Sequence, residues 1–369
     1  MKIPQFDLTR QYERIEPEIE GAVRRVLRSG RFILGPEGEA LEAECAAYLG
    51  VSHAIGLGSG SDAIKLILQA LGVGPDTEVV TPAFSFVASG TAALELGARP
   101  VFVDIEPATL ALDPDRVAAA ITPRTRVILA VHLYGLPAAM GPLRVLAETH
   151  GVALMEDAAQ AFGAMLGGRP VGGHGRAAAF SFYPTKNLAA YGDAGLATTT
   201  DAALAERLRL ARNHGQTQKY RHAALGWTAR LDELQAAILR VKLRHLPEWT
   251  RARQAVAARY GEGLAGLPVV LPAERPGATH VFHQYTIRTH RRDALAAHLA
   301  AAGIGTACHY PLPIPAQPLF QELGYDASPF PAAWAAAREV LSLPCFPELR
   351  PDEIDAVIAA VRTFFEGDS

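Results

Sequence analysis

Cysteine is scarce in this chain. Its 369 residues hold three, Cys45, Cys308 and Cys345. They are odd in number, far apart and without metal-ligand spacing, which excludes a disulfide framework and a cysteine-based zinc site and fits a reducing compartment. An excess of one charge is also missing: 35 basic against 38 acidic residues leave a formal net charge of −3, so no global attraction draws the chain to nucleic acid or to an anionic membrane. Long apolar runs are lacking too. The most apolar window, Val127 to Met140, is broken by His132, Gly135 and Pro137 and is too short to cross a bilayer. The first ten residues carry one lysine and no signal-peptide core, with Asp7 and Arg10 interrupting them. A cytoplasmic location is expected. No internal repeat is visible.

What is present is enough apolar material, 49% of residues, to build sizeable cores, and a length that suits one large or two unequal domains. From about residue 51 to 200, short β-rich runs alternate with helix-length segments, the pattern of an α/β domain with a mainly parallel sheet. The expected strands are 54–57, 78–81, 99–103, 126–131, 153–156, 178–182 and 195–199. The expected helices are 62–71, 85–96, 138–149 and 202–212. A long helical pattern over 231–264, with Pro247 expected to kink it, leads into a smaller α/β unit with a strand over 283–288 and helices over 292–302 and 351–365. This suggests a large domain over residues 1–240 and a small domain over 241–369, with the extreme N-terminus expected to pack on the latter.

Three segments carry chemistry. In the first, Gly56 to Asp62 (GLGSGSD), a glycine-rich turn joins a strand to a helix, where free backbone N–H groups favour a phosphate and Ser61 adds a hydroxyl. A dinucleotide turn is a poorer fit, because Ser61 stands where the last glycine belongs and no acid near Glu78 sits as the ribose ligand. Lys65 is displaced from the lysine position of a P-loop. In the second, Val152 to Gly163 (VALMEDAAQAFG), a buried strand delivers Glu156 and Asp157 to its carboxyl end, with Gln160 one turn on. A desolvated carboxylate there needs a partner, and a cationic heterocyclic nitrogen would supply one. In the third, Ala178 to Asn187 (AAFSFYPTKN), a strand ends at Ser181 and Pro184 turns the chain to present Lys186. Such a lysine can lose solvation and become a nucleophilic amine. Together, a phosphate cup, an acid, a strand-end serine and a lysine are the parts that hold pyridoxal 5′-phosphate.

The chain resembles the DegT/DnrJ/EryC1/StrS sugar aminotransferases over nearly its whole length. The matches run through FILGPEGEALE, EVVTPAFSFVAS, ARPVFVDIEP, VHLYG, EDAAQAFGA, FSFYPTKNLAAYGDAG, RNHGQ, RLDELQAAIL and CHYPLP. The resemblance implies a type I pyridoxal-phosphate fold, a homodimer with active sites at the subunit interface, and L-glutamate as amino donor to a nucleotide-linked keto sugar. The closest likeness is to members that aminate a 3-keto hexose on dTDP or UDP; amination at C4, or of a keto-cyclitol, stays open. By the same resemblance Lys186 forms the Schiff base with the cofactor and shuttles protons, and Asp157 pairs with the pyridinium nitrogen. Gln160 then lies beside the ring, Phe86 stacks on its face, and Gly60, Ser61, Asp62 and Ser181 surround the phosphate. Read alone, Phe86 belongs in a core.

Substrate contacts are expected from Tyr183, Arg230, His309 and Tyr310, the last two from the facing domain or the partner subunit. His132, Tyr134 and His214 are further cleft candidates. Two positions depart from the family pattern. Thr228 stands where an asparagine commonly reaches the neighbouring subunit's phosphate, and Ala194 replaces a glycine in the loop after Lys186. Relatives that act as dehydratases carry a histidine in place of the lysine, so Lys186 argues for transamination.

Overall fold

The computed structural model describes residues 2–367. Two helices, α1 (Thr9–Ser29) and α2 (Pro36–Leu49), precede a seven-stranded sheet of β1 (His53–Leu57), β2 (Glu78–Pro82), β3 (Arg99–Val103), β4 (Thr125–Val131), β5 (Ala153–Asp157), β6 (Ala177–Ser181) and β7 (Gly195–Thr199). The spatial order is β1-β7-β6-β5-β4-β2-β3. Strands β6 to β3 in that order are parallel, and β7 runs antiparallel to both of its neighbours. The strands read as continuous apolar runs because both faces of the sheet are covered. Val127, Leu129, Met155, Ala177 and Ala197 pack on one face against α3 (Gly60–Ala70), α4 (Ala88–Glu95) and a later helix. Their neighbours Ile128, Ala130 and Leu154 pack on the other face with α5 (Met140–His150), and Ala178, Phe180 and Leu196 pack there with α2.

Beyond β7, helix α6 (Ala202–Ala211) completes the first face, and α7 (Glu233–Gly263) crosses to the C-terminal unit. The sequence predicts a kink at Pro247, but α7 runs through it as one 31-residue helix. Its N-terminus is tied down by Glu233, whose buried carboxylate accepts the N–H groups of Gly35, Glu37 and Gly38 at 2.8–3.0 Å and so fixes the start of α2. The C-terminal core gathers Val256 and Tyr260 of α7, α8 (Arg292–Ala301), α9 (Pro351–Glu366) and the antiparallel pair β8 (Tyr285–Arg288) and β9 (Val340–Leu343). Ile3 is buried in this same core and bridges to Ile304. No helix among the described residues is long and apolar enough to cross a membrane.

The strands expected at 99–103 and 195–199 have those bounds, and the other five in this sheet shift by one residue at one or both ends. Helices α1 and α2 and strand β9 are absent from the sequence expectation. Strand β9 is a four-residue run, VLSL, too short for periodicity to separate strand from helix.

Candidate active site

Alternation along β5 separates its two terminal acids. Glu156 falls on the face of Leu154, where it is fully used by structure: it accepts from His132 Nε2 at 3.0 Å and from the backbone N–H groups of Gly172, His174 and Gly175 at 2.8–2.9 Å. His132 Nδ1 accepts from the Ala138 N–H, so this histidine is a structural cross-link rather than a cleft residue. Asp157 falls on the opposite face, toward α4. It is 4% exposed and accepts from Ser89 Oγ at 3.2 Å and the Ala159 N–H at 3.1 Å. Burial pushes its carboxyl up from the usual aspartate range, while the Ala159 bond and the Lys186 charge pull the other way. The charge of Asp157 is thus only partly compensated by the chain itself.

Strand β6 ends at Ser181, and the turn closed by Lys186 N–H to Tyr183 C=O at 2.8 Å brings the lysine back over the strand ends. The adjacent Asn187 is buried and donates to the Val281 C=O at 2.8 Å, anchoring this turn to the C-terminal unit. The Lys186 amine forms neither a hydrogen bond nor an ion pair with any described residue. Burial brings it down to about 8 from the ordinary 10.5, although the Asp157 charge opposes that shift. Near neutral pH a useful share of it is therefore an unprotonated nucleophile.

Helix α3 begins in the same place. Ser59 caps it, accepting the Asp62 N–H at 3.0 Å and donating to Asp62 Oδ2 at 2.9 Å. The N–H groups of Gly60 and Ser61 are left without a partner among the described residues, at the positive end of the helix. A Cβ on Gly60 would stand 2.6 Å from Ser181 Cβ, and one on Gly195 would stand 2.2 Å from the Ser59 C=O oxygen. Only glycine at both positions lets the helix end close against β6 and β7, setting the Ser181 hydroxyl beside the free N–H groups.

These groups meet in one cavity of about 510 Å³, lined by Gly60, Ser61, Phe86, Asp157, Gln160, Ser181, Tyr183, Lys186, His309 and Tyr310 among others. Phe86, which the sequence read alone places in a core, is 52% exposed and presents its ring to the cavity, 6.0 Å from the Tyr310 ring. Gln160 bridges the walls: its Oε1 accepts the Tyr134 N–H at 2.6 Å and its Nε2 donates to the Tyr310 hydroxyl at 3.0 Å. His309 and Tyr310 reach this cavity from the same chain. His309 bonds Ser342 Oγ through Nδ1 at 2.9 Å, and burial, with the Lys186 charge behind it, brings its pKa down to about 4.

Three of the residues expected to touch cofactor or substrate lie outside the cavity lining, as do the further candidates His132, Tyr134 and His214. The Asp62 side chain turns to Ser59 and, at 3.6 Å, to Lys65, so its carboxylate braces the capping serine and lies outside the cavity lining. Arg230 donates to Asn213 Oδ1 at 3.1 Å. Thr228 is exposed on the surface, 2.8 Å from His214 Nε2, and this contact also accounts for His214. Conversely, Ser59, Ser85, Thr185, Asp193, His283 and Gln284 line the cavity and were not anticipated. Ser85 belongs to the AFSFVAS segment that supplied Phe86. Asp193 follows Lys186 in the GDAG loop, where Ala194 is buried and its C=O accepts from the Phe182 N–H.

The group that fits this arrangement has an anionic phosphate for the open end of α3, a flat ring for Phe86, and a protonated ring nitrogen to complete the partnering of Asp157. It also has a carbonyl within reach of an unpaired amine. The family model of the DegT/DnrJ/EryC1/StrS aminotransferase family matches residues 13–362. The chain is 50% identical to a "pleiotropic regulatory protein" of Geobacillus stearothermophilus, covering 99% of both chains. It is 49% identical to a dTDP-3-amino-3,4,6-trideoxy-α-D-glucose transaminase of Streptomyces venezuelae, over 99% of this chain and 97% of that one. It is 45% identical to a UDP-N-acetyl-3-dehydro-α-D-glucosamine 3-aminotransferase of Acidithiobacillus ferrooxidans, over 99% and 98%. The crystal structure of S. venezuelae DesV in complex with a ketimine intermediate superposes with a TM-score of 0.97 at 49% identity, covering 99% of both chains. The chain belongs to the DegT/DnrJ/EryC1/StrS aminotransferase family and is a pyridoxal-phosphate-dependent transaminase of the type I fold.

Proposed function

We propose that this transaminase moves the amino group of L-glutamate to the keto carbon of a nucleotide-linked hexose, at C3 of a sugar carried on dTDP or UDP. The observation that carries the reading is the meeting, in one cavity, of an unpaired Lys186 amine, the buried Asp157 carboxylate and the open N-terminus of α3. The substrate class rests on the relatives named for 3-amino sugars on dTDP and UDP. The small-domain boundary near residue 240 belongs to the same reading, with Lys186 and Asp157 on one side of the cavity and His309 and Tyr310 on the other.

When bound, pyridoxal phosphate supplies a carbonyl that exchanges amines and a ring that takes up the electrons released at the donor Cα. The N–H groups of Gly60 and Ser61 and the Ser181 hydroxyl would hold its phosphate. Asp157 would keep the ring nitrogen protonated, Phe86 would offer a flat apolar face to the ring, and Gln160, its amide fixed by Tyr134 and Tyr310, would stand beside it. Lys186 Nζ would take the proton from the donor Cα in the first half-reaction and would return a proton to the sugar carbon in the second. Tyr183, His309 and Tyr310 border the space left for the sugar.

Lys186 is the one Lys or Arg among the described residues that line the cavity. A sugar nucleotide's diphosphate therefore draws its cations from beyond it, which supports a homodimer with shared sites. The exposure of Phe32 (45%), Tyr220 (82%) and Leu225 (71%), the last two near Thr228 in sequence, supports the same assembly. Thr228 and Arg230 belong to that shared mouth in this reading.

Incubating the pyridoxamine form with dTDP- and UDP-linked 3-keto and 4-keto sugars, and locating the new amine by NMR, is expected to give a 3-amino sugar. Amination of a keto-cyclitol alone, or of C4 alone, would overturn the substrate assignment.

A further inference from the structure

The loop that enters β8 is held at every residue around one that is left free. The Val281 C=O accepts from Asn187 Nδ2 at 2.8 Å, and the Val281 N–H donates to the Gly135 C=O at 3.1 Å. The Phe282 C=O accepts from Arg253 Nη1 at 3.2 Å, and the Gln284 N–H donates to the Tyr134 C=O at 3.4 Å. Between them the His283 ring lines the cavity beside Lys186, is 5% exposed, and has no hydrogen-bond partner among the described residues; its Nδ1 is buried without one. Gln284 lines the same cavity. Gln5 Nε2 donates to its Oε1 at 3.0 Å, which leaves the Gln284 amide NH₂ without a partner among the described residues.

A pinned backbone carrying a buried, unpaired imidazole and, next to it, a half-buried amide with a free NH₂ is a preorganised receptor rather than a packing element, since a buried polar group in a finished core is paired. The surroundings select the charge of what it receives. Burial, followed by the charges of Lys186 and Arg253, holds the His283 imidazole neutral; the cationic charge near it is that of Arg253, with Glu348 close by, and of the protonated share of Lys186. Arg253, 3% exposed, donates only to the backbone C=O groups of Phe282 and Cys345, so no carboxylate offsets it there through a hydrogen bond. An amino-acid donor brings one α-carboxylate into a cavity with no arginine in its lining.

We propose that His283 and Gln284 form the subsite that receives the α-carboxylate of the amino donor, the ring N–H and the amide NH₂ each donating to one carboxylate oxygen. This deepens the proposed function and rests on its amino-acid donor, not on the identity of the sugar. Held there, the carboxylate fixes the donor Cα–H relative to Lys186 Nζ, so both residues position the substrate for proton transfer.

The test uses holoenzyme and three variants: His283→Phe, which keeps a ring and loses the donor; His283→Asn, which keeps an N–H; and Gln284→Leu. The non-reacting probe is 2-methyl-L-glutamate, titrated by calorimetry. Single-turnover absorbance follows L-glutamate, 4-aminobutyrate, which lacks the α-carboxylate, and the sugar half-reaction. His283→Phe and Gln284→Leu should each weaken the probe about 10-fold or more, as expected for a lost hydrogen bond to a charged group, with His283→Asn recovering part of it. The loss with L-glutamate should exceed that with 4-aminobutyrate, and that in the sugar half-reaction, at least about tenfold. Equal losses for L-glutamate and 4-aminobutyrate, a loss confined to the sugar half-reaction, or undiminished probe binding in both His283→Phe and Gln284→Leu would overturn the subsite. If the wild type accepts L-glutamate but aminates no nucleotide sugar, the proposed substrate fails while this subsite stands.

Discussion

Lys186→Ala is expected to lower amino transfer by about 10⁴-fold or more, because one amine serves both as the attachment point of the cofactor and as the proton carrier. The visible absorption that borohydride bleaches should disappear with it, while the far-ultraviolet spectrum stays native. The reason lies in the amine's surroundings. With a pKa brought down to about 8, roughly a tenth of Lys186 is neutral at pH 7, against about 0.03% for a lysine at its ordinary 10.5. Since the neutral amine is the reactive form, attachment of pyridoxal phosphate to the wild-type apoenzyme should speed up with rising pH around a midpoint near 8. A midpoint above 10 would mean that Lys186 is an ordinary solvated lysine. Retention of the band and of activity in Lys186→Ala would show that Lys186 is neither the attachment point of the cofactor nor the proton carrier.

Asp157→Asn should have the second-largest effect, a fall in kcat of about 10² to 10³, typical of removing one preorganised charge from a dry site. The substitution preserves shape and leaves an oxygen to accept from Ser89 or the Ala159 N–H. What it removes is the negative charge that holds the ring nitrogen protonated. The same charge is the only influence raising the Lys186 pKa against burial, so the attachment midpoint should move below 8 in this variant. Apoenzyme stability should hold or rise, because a buried carboxylate with few partners costs free energy in the folded state. The extra thermal stability gained on adding pyridoxal phosphate should shrink. A lowered apoenzyme Tm with unchanged kcat would make Asp157 a structural residue.

The parts of this site that the sequence made legible share a cause. Asp157, Ser181 and Gly60 sit at strand ends or at a strand-to-helix turn, where topology alone brings distant segments together. Lys186 follows a strand by a Pro-containing turn, which is readable as a presentation device. Side-chain direction was harder to read. Asp62 has the right position but is claimed by its own helix cap, and Glu156, next to Asp157, is claimed by a loop 16 to 19 residues on. Nothing in the local sequence distinguishes the acid that faces the cavity from the one that ties down a loop; the alternation of β5 does so once its register is known. His283 was missed because a lone histidine in VFHQY reads as a core residue. Its function is suggested only by what it lacks, a partner, and a missing partner cannot be seen in one dimension. Phe86 failed as a core aromatic for the converse reason: its exposure follows from the cavity, which exists only after residues 283–310 fold back over the strand ends.

Borohydride reduction of the holoenzyme, followed by proteolysis and mass mapping, tests most directly whether Lys186 is the attachment point on which the whole site is organised. The account predicts a pyridoxyl group on the peptide that contains Lys186 and on no other. A label on Lys65 or Lys242, or no label at all in an enzyme with bound cofactor, would contradict it.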